Sequence, residues 1–231
     1  MLLIYGSIFF FEFIISVKLI IYKVNCFTEK PNSHDAEMLI QKRSNLWNAG
    51  MFFSYTKKII NEIESYQFIP KYILNTHGHF DHTSAIRAVK NSTGALYGIH
   101  SEDEYLLKST DNPGSAIISD FQDPPDPDFY LNEEDVLNIG SLTLRVLSTA
   151  GHTPGSVCFY TSGFVFTGDT LFKGSIGRYD FPGGDGRLLI QNIKTKLLTL
   201  PEDTYVLPGH GPQSTIGEEK LLNTFLQISG L

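Results

Sequence analysis

The sequence predicts an α+β protein in which layered β-sheets are covered by helices. Segments with strand-like patterns outnumber those with helical patterns, and the helical segments fall between groups of strands. Because a sheet must bury one face against another layer, this order favours packed sheets with helices outside them. The chain has 231 residues, a length at which a domain buries most of its apolar surface without a disulfide framework.

In the first half of the chain, strands are predicted from β-branched residues and short apolar runs. They cover residues 17–24, 35–40, 71–76 and 95–100. Helices are predicted where apolar residues recur at helical spacing or where a capping residue precedes an acidic turn. They cover residues 55–68, 81–94 and 101–109, the last of them opened by Ser101. Residues 109–130 are rich in Pro, Asp and Ser, and this composition predicts a surface loop.

In the second half, Leu142, Leu144 and Val146 alternate with polar residues, which predicts a half-buried strand within residues 141–150. The other predicted strand elements are a hairpin over 155–168, turning at "TSG", and a last strand over 204–209. Amphipathic patterns predict helices over 186–200, which Pro201 stops, and over 217–228.

Residues 1–20 form a strongly apolar segment, which we separate from a single domain spanning residues 21–231. The segment has no basic start and no small-residue cleavage site, and Glu12 interrupts it. Its apolar run before Lys18 is short for a membrane span. We therefore expect an extension or a first strand and a cytoplasmic protein, with a membrane or secretory segment as the alternative.

The formal net charge of −7 argues against nucleic acid as the main partner, because binding to a phosphate backbone needs clustered Lys and Arg. A small anionic substrate remains possible if one or two local cations meet it. The two cysteines, Cys26 and Cys158, are far apart and form no CxxC pair, so we expect both to be small buried apolar residues. The sequence predicts no oligomeric state.

Histidine and aspartate are concentrated where four predicted strands end. The stretch "THGHFDH", residues 76–82, directly follows the strand over 71–76, and "GHTPGS", "TGDTLF" and "LPGHG" follow later strands. The candidate metal ligands in these motifs are His77, His79, Asp81, His82, His152, Asp169 and His210. Strand ends at one edge of a sheet can converge, and rigid elements position ligands well. His34 and His100 lie outside the motifs, and we expect them to be ordinary histidines.

These ligand types predict a metal site built from nitrogen and oxygen atoms without thiolate. Five histidines and two aspartates exceed the three or four protein ligands of one zinc ion. Two divalent ions fit better, each with three ligands of its own and one carboxylate shared between them. Paired metals of this kind lie roughly 3.5–4 Å apart. Zinc is the expected ion, and iron or manganese is also compatible with imidazole and carboxylate ligands.

The four motifs, in this order, resemble those of the metallo-beta-lactamase superfamily. Within them, "GDTLFKGSIGRYDFPGGD" and "LPGHGPQSTIGEEK" are similar to the short glyoxalase II-like hydrolases of the hydroxyacylglutathione hydrolase type. The resemblance implies an αβ/βα four-layer sandwich of two mixed β-sheets flanked by helices. It also implies that His77, His79 and His152 hold one metal. Asp81, His82 and His210 would then hold the other, with Asp169 bridging the two.

The resemblance implies a hydrolase in which a metal-bound hydroxide attacks the carbonyl of a small anionic thioester. Asp81 and Asp169 are the carboxylates placed in the catalytic centre. Lys173 and Arg178 closely follow the bridging aspartate and are the candidate substrate-binding cations. Two features depart from the family. No Asp-Pro-Gly turn follows residues 35–40, and the chain ends soon after His210, before the helical extension with which longer glyoxalase II enzymes bind glutathione.

The main alternative is a persulfide dioxygenase, an oxidoreductase that shares this fold and a similar "GR-x-DF" stretch. It would hold a single Fe(II) with His77, His152 and Asp169, a set of two histidines and one carboxylate. The remaining candidate ligands would then be bystanders. A β-lactam or lactone hydrolase, or a metal-binding protein without catalysis, are weaker alternatives. Nuclease members of the superfamily do not fit the acidic net charge.

Overall fold

The computed structural model of the protein describes residues 2–4, 7–11, 60–61, 63–64, 69–108, 122–139 and 142–227. The predicted strands over 17–24 and 35–40, together with Cys26 and His34, lie outside these ranges. Within the described part of the chain, none of the helices combines the length and the apolar character needed to cross a membrane.

The first sheet is mixed and has five strands in the spatial order β1-β2-β3-β4-β5. The strands are β1 (Leu2–Ile4), β2 (Ser7–Phe11), β3 (Pro70–Asn75), β4 (Leu96–Ile99) and β5 (Phe129–Tyr130). β2 pairs antiparallel with β1 and with β3, whereas β3, β4 and β5 run parallel. The apolar N-terminal segment thus contributes two strands to this sheet. The prediction of a loop over 109–130 is wrong at its end, because residues 129 and 130 form β5.

The second sheet has six strands in the order β13-β12-β9-β8-β7-β6. They are β6 (Val136–Ile139), β7 (Leu142–Ser148), β8 (Val157–Thr161), β9 (Phe164–Gly168), β12 (Tyr205–Pro208) and β13 (Ser214–Thr215). A separate small hairpin pairs β10 (Leu171–Phe172) with β11 (Ser175–Ile176). The predicted hairpin is present as β8 and β9, with Thr161 opposite Phe164. Gly163 takes a φ of 83° in the turn between them, a conformation that glycine adopts at little cost.

Three apolar clusters show that the two sheets pack on each other and that helices cover their outer faces. In β3, Ile73 belongs to the cluster under the outer helix and Leu74 to the cluster between the sheets. In β9, Val165 and Phe166 divide in the same way between the outer and the inner side. Successive strand residues point to opposite faces, so both sheets are buried on two sides. The four-layer α+β sandwich predicted above is therefore confirmed.

Helices cover both outer faces. They are α1 (Phe80–Thr83), α2 (Ile86–Thr93), a 3-10 helix (Ser101–Leu107), α3 (Gly186–Asn192), which continues as a π-helical segment (Ile193–Leu197), α4 (Ile216–Leu222) and α5 (Thr224–Gln227). α2 packs Ile86 and Val89 into the outer core of the first sheet. The helices α3, α4 and α5 pack against the outer face of the second sheet.

Three predicted helices differ from the observed ones in detail. The helix over 81–94 is split, because α1 turns His82 into the protein while α2 packs on the sheet. The 3-10 helix is capped by the imidazole of His100, which accepts a hydrogen bond from the Glu102 N–H, and not by Ser101. The last helix breaks at Asn223, whose buried amide donates to the Ser175 carbonyl.

Candidate metal centre

Four strand ends meet at one edge of the sandwich. β3 leads into the loop carrying His77 and His79, while β7, β9 and β12 lead to His152, Asp169 and His210. β9 runs parallel to β12, and two successive antiparallel pairings make β7 parallel to β9. Parallel strands present their carboxyl ends at the same edge, so the second sheet delivers three of its polar side chains to one place. The first sheet adds the loop after β3.

The first group of candidate ligands consists of His77, His79 and His152. One ligand atom from each lies within 4.8 Å of the others. His152 Nε2 and His79 Nδ1 are 2.9 Å apart, and His77 and His152 are buried. Three imidazole nitrogens converging from two loops form a site of the type that zinc or iron occupies.

The second group consists of Asp81, His82 and His210, whose ligand atoms also lie within 4.8 Å of one another. His210 Nε2 is 3.1 Å from Asp81 Oδ2 and 3.3 Å from His82 Nε2. α1 supplies the first two residues of the group, and the loop after β12 supplies the third. This group therefore contains one carboxylate and two imidazoles.

Asp169 lies between the two groups. Its Oδ1 atom is 3.4 Å from His82 Nε2, and its Oδ2 atom is 3.8 Å from His152 Nε2 and 3.6 Å from His210 Nε2. The carboxylate thus contacts histidines of both groups, with only 13% of its side chain exposed. A carboxylate shared by two metals has to lie between their ligand groups, as Asp169 does.

Several hydrogen bonds orient the ligands. The Thr76 hydroxyl is 3.1 Å from His77 Nδ1. His152 Nδ1 lies 2.6 Å from the Arg178 carbonyl oxygen, which can only accept, so Nδ1 carries the proton and Nε2 presents its lone pair to the site. The buried Asn75 amide donates to the carbonyl oxygens of His77 and His82 at 3.2 and 3.0 Å. These contacts fix both the ring orientation and the loop backbone.

The donor atoms fit a metal better than they fit the protein alone. His77 Nε2 is buried and has no hydrogen-bond partner within the described residues. A buried polar group left in this state costs roughly 1–3 kcal/mol. A cation would satisfy this nitrogen and would also offset the crowding of five imidazoles.

Burial keeps two histidines of the first group, His77 and His79, neutral. Desolvation lowers the pKa of His77 well below its usual value of 6.5, and the neighbouring His82 and His152 lower it further. Desolvation and His152 lower the pKa of His79 from 6.5 to about 4. Burial would raise the pKa values of Asp81 and Asp169, but the surrounding histidines outweigh it and lower both. Neutral imidazoles and ionised carboxylates are the forms that bind metals.

Acidification is expected to destabilise the metal-free protein between about pH 6.5 and about pH 4. In this range the unfolded chain takes up protons at His77 and His79, whereas the folded chain keeps both imidazoles neutral. Their contribution to stability is therefore complete above pH 6.5 and is lost as the pH falls. The measurement is the urea midpoint of chelator-treated protein across this range. The substitution His79→Gln should flatten the pH dependence, and an unchanged slope in H79Q would contradict the assignment.

The predicted substrate-binding cations, Lys173 and Arg178, are both exposed. Lys173 is exposed at the turn between β10 and β11. Arg178 is exposed and forms a double hydrogen bond with Asp180, at 2.9 and 2.8 Å. Its guanidinium also stacks 4.1 Å above the Phe181 ring, whose centroid lies 5.5 Å from that of His79. Arg178 thus sits at the mouth of the first group.

Burial and contacts test the sequence predictions on Cys158 and His100. Cys158 is buried, as predicted, and burial raises the pKa of its thiol to about 12. His100 caps the 3-10 helix and lies outside both ligand groups. Sequence reasoning missed the orienting residue Asn75. The position of Asn75, at the end of β3 and just before the ligand loop, was the available signal for it.

Comparisons with known proteins agree with this arrangement. Residues 68–210 match the model of the metallo-beta-lactamase superfamily. Hydroxyacylglutathione hydrolase GloC of Haemophilus influenzae is 38% identical over 174 residues, which cover 74% of this chain and 82% of that protein.

Solved structures show the same fold. The B3 metallo-beta-lactamase BLEG-1 superposes with a TM-score of 0.69 at 39% identity, and TTHA1623 in a di-iron-bound form with 0.67 at 38%. Each comparison covers 74% of this chain and 84% of the other. ETHE1 from Myxococcus xanthus gives a TM-score of 0.63 at 26% identity, covering 76% of this chain and 72% of that one. The chain therefore belongs to the metallo-beta-lactamase superfamily of metal-binding hydrolases.

Proposed function

We propose that the protein is a binuclear metallo-hydrolase that cleaves small anionic thioesters of the hydroxyacylglutathione type. The observation that carries the proposal is the position of Asp169, which contacts histidines of both ligand groups through its two oxygens. A single ion would leave one of these groups without a function. The identity to a hydroxyacylglutathione hydrolase, 38% over most of both chains, supports the substrate class.

Two divalent ions, zinc or alternatively iron or manganese, suit the nitrogen and oxygen donors. We assign His77, His79 and His152 to one ion, and Asp81, His82 and His210 to the other, with Asp169 shared between them. The di-iron form of TTHA1623, at 38% identity, supports two occupied positions. When bound, such ions lower the pKa of a coordinated water toward about 7 and polarise the carbonyl to be attacked.

The charges of the chain's own residues suit this chemistry. Asp81 and Asp169 offset only half of the positive charge of two divalent ions, so the centre stays positive and favours an anionic nucleophile and a developing oxyanion. The Arg178 carbonyl holds the proton of His152 at Nδ1, away from the site. Because a thiolate leaves readily, the reaction needs no dedicated acid, and none of the described residues is assigned that role.

Arg178 and Lys173 are proposed to bind the carboxylates of the substrate. Asp180 occupies Nε and one terminal nitrogen of Arg178, and the remaining N–H donors of the guanidinium can meet an anion. Phe181 holds this guanidinium beside the first ligand group by stacking under it. The thioester could then lie between the stacked pair and the metal centre.

The substitution Arg178→Ala is expected to raise KM for an anionic thioester roughly tenfold, with kcat little changed, because a hydrogen bond to a charged group is lost. Steady-state kinetics would measure both constants. Arg145→Ala is the matched control, since Arg145 is also paired with a carboxylate, Glu134, and lies over an aromatic ring, Tyr160. Equal KM values in R178A, R145A and the unsubstituted protein would exclude Arg178 from substrate binding.

The direct test of the proposed function is turnover of S-lactoylglutathione by purified, metal-loaded protein. The reaction is followed by loss of the thioester and release of the thiol. Hydrolysis that a chelator abolishes and added metal restores is the expected result. Absence of turnover with this and other small thioesters would contradict the proposal.

The second candidate is a mononuclear Fe(II) persulfide dioxygenase. His77, His152 and Asp169 would hold its iron, and His152 Nε2 lies 3.8 Å from Asp169 Oδ2. The sequence "GRYDF" at residues 177–181 favours it, because it resembles the "GR-x-DF" stretch of these dioxygenases. The dioxygenase function gives no role to Asp81, His82 and His210, although these residues form a ligand group of their own.

A further inference from the structure

Asp103 is a buried carboxylate that the proposed chemistry does not use. It lies in the 3-10 helix, in a run of acidic residues that would suit a solvent-exposed helix start, yet its side chain is fully buried. A carboxylate is seldom buried without a specific partner. Its contacts therefore indicate what it does.

Three donors from the two histidine loops converge on this one side chain. Asp103 Oδ2 accepts hydrogen bonds from the Gly78 N–H at 2.8 Å and from the Thr153 hydroxyl at 2.7 Å. Asp103 Oδ1 accepts one from the Gly155 N–H at 2.7 Å. Gly78 lies between His77 and His79, while Thr153 directly follows His152. The carboxylate therefore links the two loops that supply the first ligand group.

We propose that Asp103 is a positioning residue that sets the geometry of the His77, His79 and His152 group by tying its two loops together. This role rests on the metal-binding function proposed above. It is specific to one half of the centre, because the hydrogen bonds of Asp103 reach the neighbours of the first group. In the second group, the backbone of His82 is held instead by Asn75.

The bonding pattern requires a carboxylate. The pKa of Asp103 is raised, because burial outweighs the hydrogen bonds from Thr153, Gly78 and Gly155, which favour the ionised form. Two of the donors are backbone N–H groups, which cannot accept, so only a side chain with two acceptor oxygens satisfies them all. An asparagine would turn its NH2 group toward at least one N–H donor and open that link.

The surrounding glycines fit this close approach. A Cβ atom at position 78 would lie 2.8 Å from the Asp103 carbonyl oxygen, and one at position 155 would lie 2.7 Å from Asp103 Oδ1. Both distances are shorter than side chains tolerate. Gly78 and Gly155 thus have a common explanation, since each lets its loop backbone approach Asp103.

The test is Co²⁺ titration of the metal-free full-length protein, followed by visible absorption, which reports affinity and ligand geometry for each equivalent. In the variant Asp103→Asn, one of the two equivalents should bind about 10- to 100-fold more weakly, as is typical when residues that orient metal ligands are changed, and its spectrum should change. The other equivalent should bind as in the unsubstituted protein. Glu219→Gln is the matched control, because Glu219 is also a buried carboxylate that accepts a backbone N–H, that of Gly174. It should leave both equivalents unchanged.

If D103N does not fold, two milder substitutions of Thr153 test the same proposal. Thr153→Val removes the hydroxyl donor and should weaken the same equivalent, whereas Thr153→Ser keeps the hydroxyl and should restore its affinity and spectrum. Equal affinities in T153V and T153S, or unchanged affinities in folded D103N, would overturn the proposal. Equal weakening of both equivalents would overturn it as well, because the effect would then not be specific to the first group.

The readout also separates this proposal from the proposed function. The titration measures metal affinity and not turnover. If the unsubstituted protein binds Co²⁺ but cleaves no thioester, the proposed hydrolase activity is contradicted, and the role of Asp103 is still decided by the titration of its variants. Protein that binds no Co²⁺ would contradict both.

Discussion

Replacing Asp169 by asparagine is expected to weaken binding of both metal ions and to lower kcat/KM for thioesters by more than about 100-fold. Changing a residue that only orients a metal ligand costs about 10- to 100-fold, and Asp169 contacts histidines of both groups directly. The amide has no charge and presents one acceptor oxygen where the carboxylate presents two. Metal content of the purified variant and steady-state kinetics measure the two effects.

The control for D169N is Asp126→Asn. Asp126 is an exposed aspartate paired with Lys108 on the surface, so this change removes the same charge without touching the ligand groups. D126N should keep both ions and full activity. A D169N protein that retained both ions and the turnover of the unsubstituted protein would show that Asp169 does not bridge two metals.

Replacing His210 by alanine is expected to remove one of the two ions and to lower thioester turnover by more than about 100-fold. His210 supplies one of the three ligands of the second group, with its Nε2 atom 3.1 Å from Asp81. Its side chain is 35% exposed, so the loss of packing is small and the variant should fold. Elemental analysis and kinetics of the same preparation test the prediction.

The comparison of H210A with His77→Ala distinguishes the two candidate functions. In a binuclear hydrolase, both variants lose one ion and most activity, because each removes a ligand from one group. In a mononuclear dioxygenase, H77A loses the iron, whereas H210A keeps the iron and the activity. An H210A protein with unchanged metal content would therefore contradict the paired site.

The candidate ligands could be predicted from the sequence because their motifs come soon after strands. The motifs around His77, His152, Asp169 and His210 each come after an apolar run, and the parallel course of β7, β9 and β12 brings three of them together. Local sequence also predicted the β8–β9 hairpin and the strands β3, β4, β7 and β12, because alternation and turn residues are short-range signals. The layered fold followed from the order of these elements.

The burial of Asp103 and the break in the last helix could not be predicted, because both depend on contacts between distant parts of the chain. Asp103 lies in an acidic run that is typical of an exposed helix start, and only the folded chain shows that loops 25 and 50 residues away donate to it. The break at Asn223 has the same cause, since its amide reaches Ser175, 48 residues away. Local propensity carries no signal for such partners.

The most direct test of the central claim is a metal count on natively purified protein, combined with oxygen uptake during turnover. The paired site predicts two divalent ions per chain and thioester hydrolysis that consumes no oxygen. One iron per chain, with oxygen consumed in the presence of a persulfide, would contradict it. That result would assign the chemistry to His77, His152 and Asp169 alone.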